Sequence, residues 1–160
     1  MRKIDVVELK TFIDAQSLET KIYLGCDSER VNIRGTWFAD YAAVVVVHID
    51  GKHGCKIFGE VTRERDYDQR KDKPAMRLMN EVYKVSALFQ KLADVLEDRD
   101  VEVHLDLNPD ELHGSNCVIA QAIGYIKGTC NVVPMVKPDA WCSSFAADRF
   151  SRILSERKVA

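Results

Sequence analysis

A continuous apolar run at residues 41–47, in which residues 44–47 are all valine, constrains the fold of this chain most. A strand with one face in water alternates apolar and polar side chains, so an unbroken run predicts a strand that is covered on both faces. We predict this strand over residues 36–49. The Asp50-Gly51 pair then favours a hairpin turn, and residues 55–62 form an antiparallel third strand.

The rest of the chain alternates between helix-like and strand-like apolar spacing. The predicted helices cover residues 5–19, 74–98, 115–127 and 139–157, and the other predicted strands cover residues 21–26, 101–107 and 132–136. A three-strand meander followed by alternating helices and strands is typical of an α/β fold, with a mixed sheet and helices on both faces. The later strands should run parallel, joined by right-handed crossovers.

Composition favours one globular domain. The chain has 160 residues, of which 46% are apolar and 30% charged, and we expect a single domain over residues 1–160, with residues 1–20 as an N-terminal helical extension. The net charge of −2 does not favour nucleic-acid binding, which depends on Lys and Arg. It does not exclude it, because a bound metal ion adds positive charge that this count ignores.

The cysteines and the apolar runs bear on the cellular compartment. The five cysteines are widely spaced, without a C-x-x-C pair, which favours reduced thiols and a cytoplasmic location. The N-terminus shows no apolar signal segment, and the run at residues 41–47 is too short to cross a membrane. We therefore expect a cytoplasmic protein with no membrane segment.

Two aspartates end predicted strands. Asp27 follows an apolar strand that contains Gly25, and Asp106 closes the strand at residues 101–107. Each alone could be a turn residue. On adjacent parallel strands, however, the two carboxylates would meet at the sheet edge where α/β proteins bind ligands. Paired carboxylates of this kind hold the metal ions of metal-assisted phosphoryl transfer.

Two further carboxylates lie on predicted helices. Glu81 falls at the border of the buried face of its helix, although a glutamate exposed on the helix surface is the alternative. Asp148 lies opposite the apolar side of the last helix, so it can act only if the small polar face of that helix covers the catalytic edge. Asp139 is the alternative fourth ligand, but a helix-capping role suits it better.

Other candidate groups are weaker. Asn108 is an accessory candidate beside Asp106, and His104 is more often a packing residue than a catalytic one at such a position. The remaining histidines have no partner spacing for zinc, and neither a nucleophile elbow nor a phosphate loop is present. The highly charged segment 63–73 is a solvated loop or the frayed start of a helix; the alternative is an arm that contacts substrate.

With these positions assigned, the chain resembles the RNase H-like superfamily, and more narrowly the YkuK group of predicted RNase H-related nucleases. The resemblance covers residues 21–152. Its motifs are Ile22-Tyr23-Leu24-Gly25-Cys26-Asp27-Ser28, Leu78-Met79-Asn80-Glu81-Val82, His104-Leu105-Asp106-Leu107-Asn108, Lys137-Pro138 and Ala146-Ala147-Asp148-Arg149. The first motif of the group usually reads Gly-Thr-Asp-Ser, and Cys26 replaces the threonine here.

The resemblance implies a five-stranded mixed sheet in the order 3-2-1-4-5, with helices on both faces. It also implies a divalent-metal site, with catalytic and ligand roles for Asp27, Glu81, Asp106 and Asp148. Two Mg²⁺ or Mn²⁺ ions are expected, one activating water and the other steadying the leaving oxygen. The superfamily cuts RNA–DNA hybrids, junctions, single strands and transposon ends, so no substrate is implied.

We therefore expect a metal-dependent nuclease whose partner is RNA or DNA. A homodimer is possible. The candidate phosphate contacts are Lys127, Lys137, Arg149 and Arg152. The acidic balance favours one alternative, a catalytically silent binding or assembly module. Another is half of a sugar-kinase or actin-like ATPase, for which this chain is too short.

Overall fold

A computed structural model describes residues 3–68 and 74–152. Its strands form a four-stranded sheet in the order β3-β2-β1-β4, in which β2 runs antiparallel to β1 and β3, and β4 runs parallel to β1. The elements are α1 (Val6–Asp14), β1 (Lys21–Ile33), β2 (Thr36–His48), β3 (Cys55–Arg65), α2 (Ala75–Leu96), β4 (Asp100–Leu105) and α3 (Ile119–Cys130). A last helix, α4, covers residues 141–152 and contains a π-helical stretch, Cys142–Ala146.

Helices cover both faces of the sheet, as the valine run predicts. Val45 and Val47 pack in the larger core with α1, α2 and α3, whereas Val44 and Val46 pack against α4. All four valines are buried. The mixed α/β sheet is therefore confirmed. Within residues 3–68 and 74–152, no helix combines the length and the apolar character that crossing a bilayer requires.

The predicted fifth strand at residues 132–136 is wrong, because only Met135 pairs with the sheet. The Met135 N–H donates to the Val103 carbonyl at 2.8 Å, and the Leu105 N–H donates to the Met135 carbonyl at 2.9 Å. Pro134 has no N–H to donate to a strand ladder, and Asn131 is in the left-handed conformation with φ 55°. The segment therefore makes one parallel bridge, and the sheet order is 3-2-1-4 instead of 3-2-1-4-5.

The ends of β1 and β4, near the two aspartates, differ from the predicted ones. β1 continues to Ile33, so Asp27 lies inside a strand and does not end one. β4 ends at Leu105, and Asp106 follows it directly. The turn predicted at residues 32–35 is confirmed: Arg34 and Gly35 both have positive φ, 51° and 85°, as a two-residue hairpin turn requires.

The helices after β4 also begin and end at other residues than predicted. A 3₁₀ turn, Gly114–Val118, precedes α3. The hydroxyl oxygen of Ser115 does not cap a helix but accepts a bond from the Asn108 N–H at 2.9 Å. α3 ends at Cys130, and the residue that stops it is Asn131 and not the predicted Gly128. Asn131 is left-handed, a conformation that asparagine tolerates. The last helix begins at residue 141, and its predicted part at residues 153–157 lies outside the described residues.

The described part of the charged segment, residues 63–68, contacts the start of α2. Its first three residues belong to β3. The carboxylate of Asp68 accepts bonds from the N–H groups of Met76 and Arg77 at 3.0 and 2.8 Å, which caps the start of α2. Residues 69–73, on which the predicted substrate-contacting arm depends, lie outside the described residues.

We predict that Gly25→Ala destabilises the protein. A Cβ atom at Gly25 would lie 2.7 Å from the Ser143 nitrogen and 3.0 Å from the Cys142 carbonyl carbon, and these backbone atoms can move only if α4 moves. The free energy of unfolding, measured by chemical denaturation, should fall by about 1–3 kcal/mol. Gly124→Ala is the matched control in α3: its Cβ meets no atom within 4 Å, so it should add about 0.5–1 kcal/mol. Equal effects of the two substitutions would contradict this packing.

Candidate catalytic carboxylate site

Asp27 and Asp106 lie side by side where β1 and β4 stop pairing. The last parallel pair joins Cys26 to Leu105, and each aspartate is the next residue along the chain. The charge of Asp106 raises the pKa of Asp27, which places the two carboxylates within electrostatic reach of each other. The structure therefore brings together the two aspartates that the sequence places at one sheet edge.

The Asp27 carboxyl group resists ionisation. Burial is the main cause and the charge of Asp106 the second; together with a smaller contribution from Asp148 they raise its pKa from 3.8 to about 6. The Ser28 N–H donates to Asp27 Oδ1 at 2.8 Å, and this bond and the Arg77 guanidinium lower the pKa in part. The balance disfavours the charged form of Asp27, mainly through burial and then through the charge of Asp106.

Glu81 points into the protein from α2. It is only 3% exposed, so the helix-surface alternative is wrong. The Ser28 hydroxyl donates to Glu81 Oε1, and Arg77 Nη1 lies 3.7 Å from the same oxygen while it donates to Ser28 Oγ at 2.6 Å. Burial, and then the charge of Asp27, raise the pKa of Glu81 well above its ordinary value.

Asp106 is held by two residues outside β4. The Ser144 hydroxyl of α4 donates to Asp106 Oδ1 at 2.5 Å, and Lys137 Nζ lies 3.0 Å from the same oxygen. The bond to Ser144 shows that the polar side of α4 faces the sheet edge that carries Asp106. This orientation is the condition under which Asp148 can belong to the site.

Asp148 lies at the rim of the site. α4 approaches β1 so closely that Ser143 touches the backbone at Gly25, and the charge of Asp148 reaches Asp27. The Asp148 carboxylate is 45% exposed and lies 3.1 Å from Arg152 Nε. Asp139 is exposed, precedes α4 and makes no side-chain cap for it, so the helix-capping role expected for it is wrong.

His104 is a buried packing residue. Its Nε2 lies 2.8 Å from Glu102 Oε2, and its Nδ1 accepts a bond from the Cys142 N–H at 3.1 Å. Its ring also makes edge contacts with Tyr23 and Trp141, each with centroids 5.5 Å apart. With both ring nitrogens bonded, His104 ties the start of α4 to β4.

The four candidate phosphate contacts lie in different places. Lys137 is at the site beside Asp106, and Arg152 pairs with Asp148. Arg149 is exposed on α4. Lys127 lies in the last turn of α3, which packs on the face of the sheet opposite to α4.

Three residues of the site, Arg77, Ser28 and Ser144, are not among those predicted from the sequence. Two of them carry a signal in their spacing. Arg77 precedes Glu81 by four residues and Ser144 precedes Asp148 by four, and residues four apart share one side of a helix. Ser28 directly follows Asp27 on the strand, and its contact with α2 depends on tertiary packing that no local pattern encodes.

The four carboxylates have the chemistry of a divalent-metal site, but they do not converge as ready ligands. Among residues 3–68 and 74–152, no three His, Cys, Asp or Glu side chains form a group that could hold a metal ion. Their oxygens instead contact Ser28, Arg77, Ser144, Lys137 and Arg152. Carboxylate oxygens are the ligands that Mg²⁺ and Mn²⁺ prefer, and a cation would relieve the potential that raises the pKa of Asp27.

Comparison with known proteins identifies a family. The family profile described as Ribonuclease H-like matches residues 5–152. Comparisons with curated proteins and with solved structures gave no match.

We predict that Asp27→Asn stabilises the protein at neutral pH. Below pH 3.8 the carboxyl group is protonated in both the folded and the unfolded chain. Between pH 3.8 and about 6 only the unfolded chain ionises readily, so the stability of the wild type falls as the pH rises and the whole penalty is present above pH 6. The substitution should therefore raise the free energy of unfolding by about 2–3 kcal/mol at pH 7.5 and by almost nothing below about pH 3.

The control for this prediction is Asp94→Asn. The pKa of exposed Asp94 is lowered by its bond to Lys10, so this substitution should have the opposite sign and cost stability at neutral pH. Chemical denaturation of both variants across the pH range checks the two signs. A gain for Asp27→Asn that does not change with pH would show that burial and neighbouring charge do not control this carboxyl group.

Proposed function

Because the chain belongs to the ribonuclease H-like family, we propose that it is a nuclease that hydrolyses phosphodiester bonds in RNA or DNA with the help of divalent metal ions. The observation that carries the proposal is the pair of Asp27 and Asp106 at the end of the parallel pairing of β1 and β4. Glu81 and Asp148 are electrostatically coupled to this pair from helices on opposite faces of the sheet. Within the family we assign the chain to the YkuK group, on its sequence motifs.

Asp27 and Asp106 are the central metal ligands in this proposal, with Glu81 and Asp148 completing the set. Mg²⁺ or Mn²⁺ ions, two in number, would supply an activated water and charge stabilisation at the leaving 3′ oxygen. The raised pKa of Asp27 supports the assignment, since perturbed carboxyl groups in a shared site are typical of functional centres.

The surrounding residues of the chain orient these carboxylates. The Ser28 hydroxyl and Arg77 hold Glu81, and Ser144 holds Asp106. Lys137 is near enough to Asp106 to contact a substrate phosphate at the same edge. Their role in the proposal is to fix the carboxylate positions before the substrate arrives, which avoids reorganisation during the reaction.

A second candidate function is a binding or assembly module that keeps the fold without turnover. The net charge of −2 favours it, as does the absence of a group of three metal-binding side chains among the described residues. The two functions differ in their response to metal: the nuclease requires Mg²⁺ or Mn²⁺, whereas the module is indifferent to both.

Asp27→Asn and Asp106→Asn should each lower the rate of cleavage about a hundredfold or more, because each removes a charge that the reaction requires. The assay uses a panel of single-stranded, duplex, hybrid and branched substrates with Mg²⁺ or Mn²⁺. Asp148→Asn should also lower the rate, and Asp139→Asn is its matched control and should leave the rate unchanged. Undiminished cleavage by Asp27→Asn would refute the site. A loss of cleavage in Asp139→Asn, with none in Asp148→Asn, would identify Asp139 as the fourth ligand.

Millimolar Mn²⁺ or Mg²⁺ should raise the melting temperature at neutral pH, since a cation that binds only the folded chain stabilises it. At a hundredfold excess over Kd the gain is about 2.7 kcal/mol. It should shrink in Asp27→Asn and Asp106→Asn and persist in Asp139→Asn. Melting curves of all four proteins that do not respond to either metal would favour the module.

A further inference from the structure

An open cleft lies directly beside Asp106. It has a volume of about 500 Å³ and is formed by the loop at residues 108–110, Lys137-Pro138 and Ser144-Phe145. Two of its residues, Lys137 and Ser144, also contact the Asp106 carboxylate. Whatever occupies this cleft therefore lies against the proposed catalytic centre.

Phe145 presents an uncovered aromatic ring at this cleft. It is 73% exposed, while its helix neighbours Cys142, Ser143 and Ala146 are all buried. All four lie in the π-helical stretch of α4, and such stretches often occur at functional sites. An exposed ring beside Pro109 and Pro138 suits a flat, apolar ligand surface.

The cleft also contains a cation. The side chain of Lys137 is 42% exposed, with its Nζ 3.0 Å from Asp106 Oδ1, so it can contact an anion without leaving the site. Asp110, the acidic residue among those that line the cleft, accepts a bond from the Leu112 N–H at 3.0 Å and stabilises its own loop. A stacking ring next to an accessible ammonium group matches the two parts of a nucleotide, its base and its phosphate.

We propose that this cleft binds one unpaired nucleotide of single-stranded RNA or DNA, with the base stacked on Phe145 and a phosphate at Lys137. The inference rests on the proposed function, since it assigns the substrate class of that site. A duplex does not offer the face of a base, because neighbouring bases cover it, whereas every unpaired base has a free face for stacking. The volume of about 500 Å³ is within the range of about 300–1,000 Å³ for ligand pockets.

The test is equilibrium binding of the full chain in EDTA, where metal-dependent cleavage does not interfere. Fluorescence anisotropy is measured with a labelled oligo(dT) or oligo(U) of roughly 12 nucleotides, and with a blunt duplex of equal length. Phe145→Leu, which keeps an apolar side chain without the ring, should weaken single-strand binding roughly 5- to 100-fold, whereas Phe145→Tyr should retain it. Duplex binding should change in neither variant.

Two further variants complete the test, one as a control for the ring and one as a test of the phosphate contact. Tyr125→Leu removes a half-exposed ring from α3, which packs on the opposite face of the sheet, and it should bind like the wild type. Lys137→Gln should lower the slope of log Kd against log salt by about 0.7, as expected for one lost phosphate contact to a single strand. Single-strand binding that is unchanged in Phe145→Leu, or equally weakened in Tyr125→Leu, would overturn the proposal.

Failure of this inference and failure of the nuclease proposal are distinguishable. If the wild type cleaves with Mn²⁺ but Phe145→Leu binds single strands normally, the nuclease proposal stands and the cleft is not the nucleotide site. If binding depends on the ring but no substrate is cleaved, the nucleotide site stands and the chain is a single-strand binding module.

Discussion

The parallel pairing of β1 with β4 ends at Cys26 and Leu105, and the whole candidate site depends on that end. β1 continues in its ladder with β2, where Asp27 pairs with Ala42, whereas the chain leaves the sheet at Asp106. The two carboxylates thus lie at the first position beyond the parallel ladder that joins β1 to β4. Because successive strand residues point to opposite faces, Asp27 shares the α4 face with Ala42, and Ser28 next to it reaches Glu81 of α2.

A close contact between a strand and a helix completes the site. Gly25 lets the backbone of α4 lie against β1, and His104 bonds to the first turn of that helix. These two contacts fix both the distance and the rotation of α4. Ser144 then faces Asp106, and the charge of Asp148 reaches Asp27. A side chain at position 25 would push α4 away from β1. Asp148 would then be separated from the other three carboxylates even if the sheet did not change.

The sequence predicts the features that depend on local pattern and fails where distant contacts decide. Apolar periodicity predicts the meander, the buried valines and the neighbouring Asp27 and Asp106. The continuation of β1 through residues 28–33 is mostly polar, and its strand conformation follows from pairing with β2, a non-local cause. The predicted fifth strand is apolar enough, but Pro134 removes a donor from its ladder. The hydroxyl of Ser28 reaches Glu81 across 53 positions of sequence separation, beyond any local rule.

The present partners of the carboxylates link the metal site to the nucleotide cleft. Asp106 is paired with Lys137, and Glu81 lies near Arg77, so a divalent cation would compete with these internal cations. Lys137 belongs to both the Asp106 contact and the cleft lined by Phe145. In the proposed enzyme, a metal ion held by Asp106 would weaken the attraction between that carboxylate and the Lys137 ammonium, which would leave the ammonium freer to bind a phosphate in the cleft. Metal and single strand would then favour each other's binding, since each stabilises the same arrangement of Lys137.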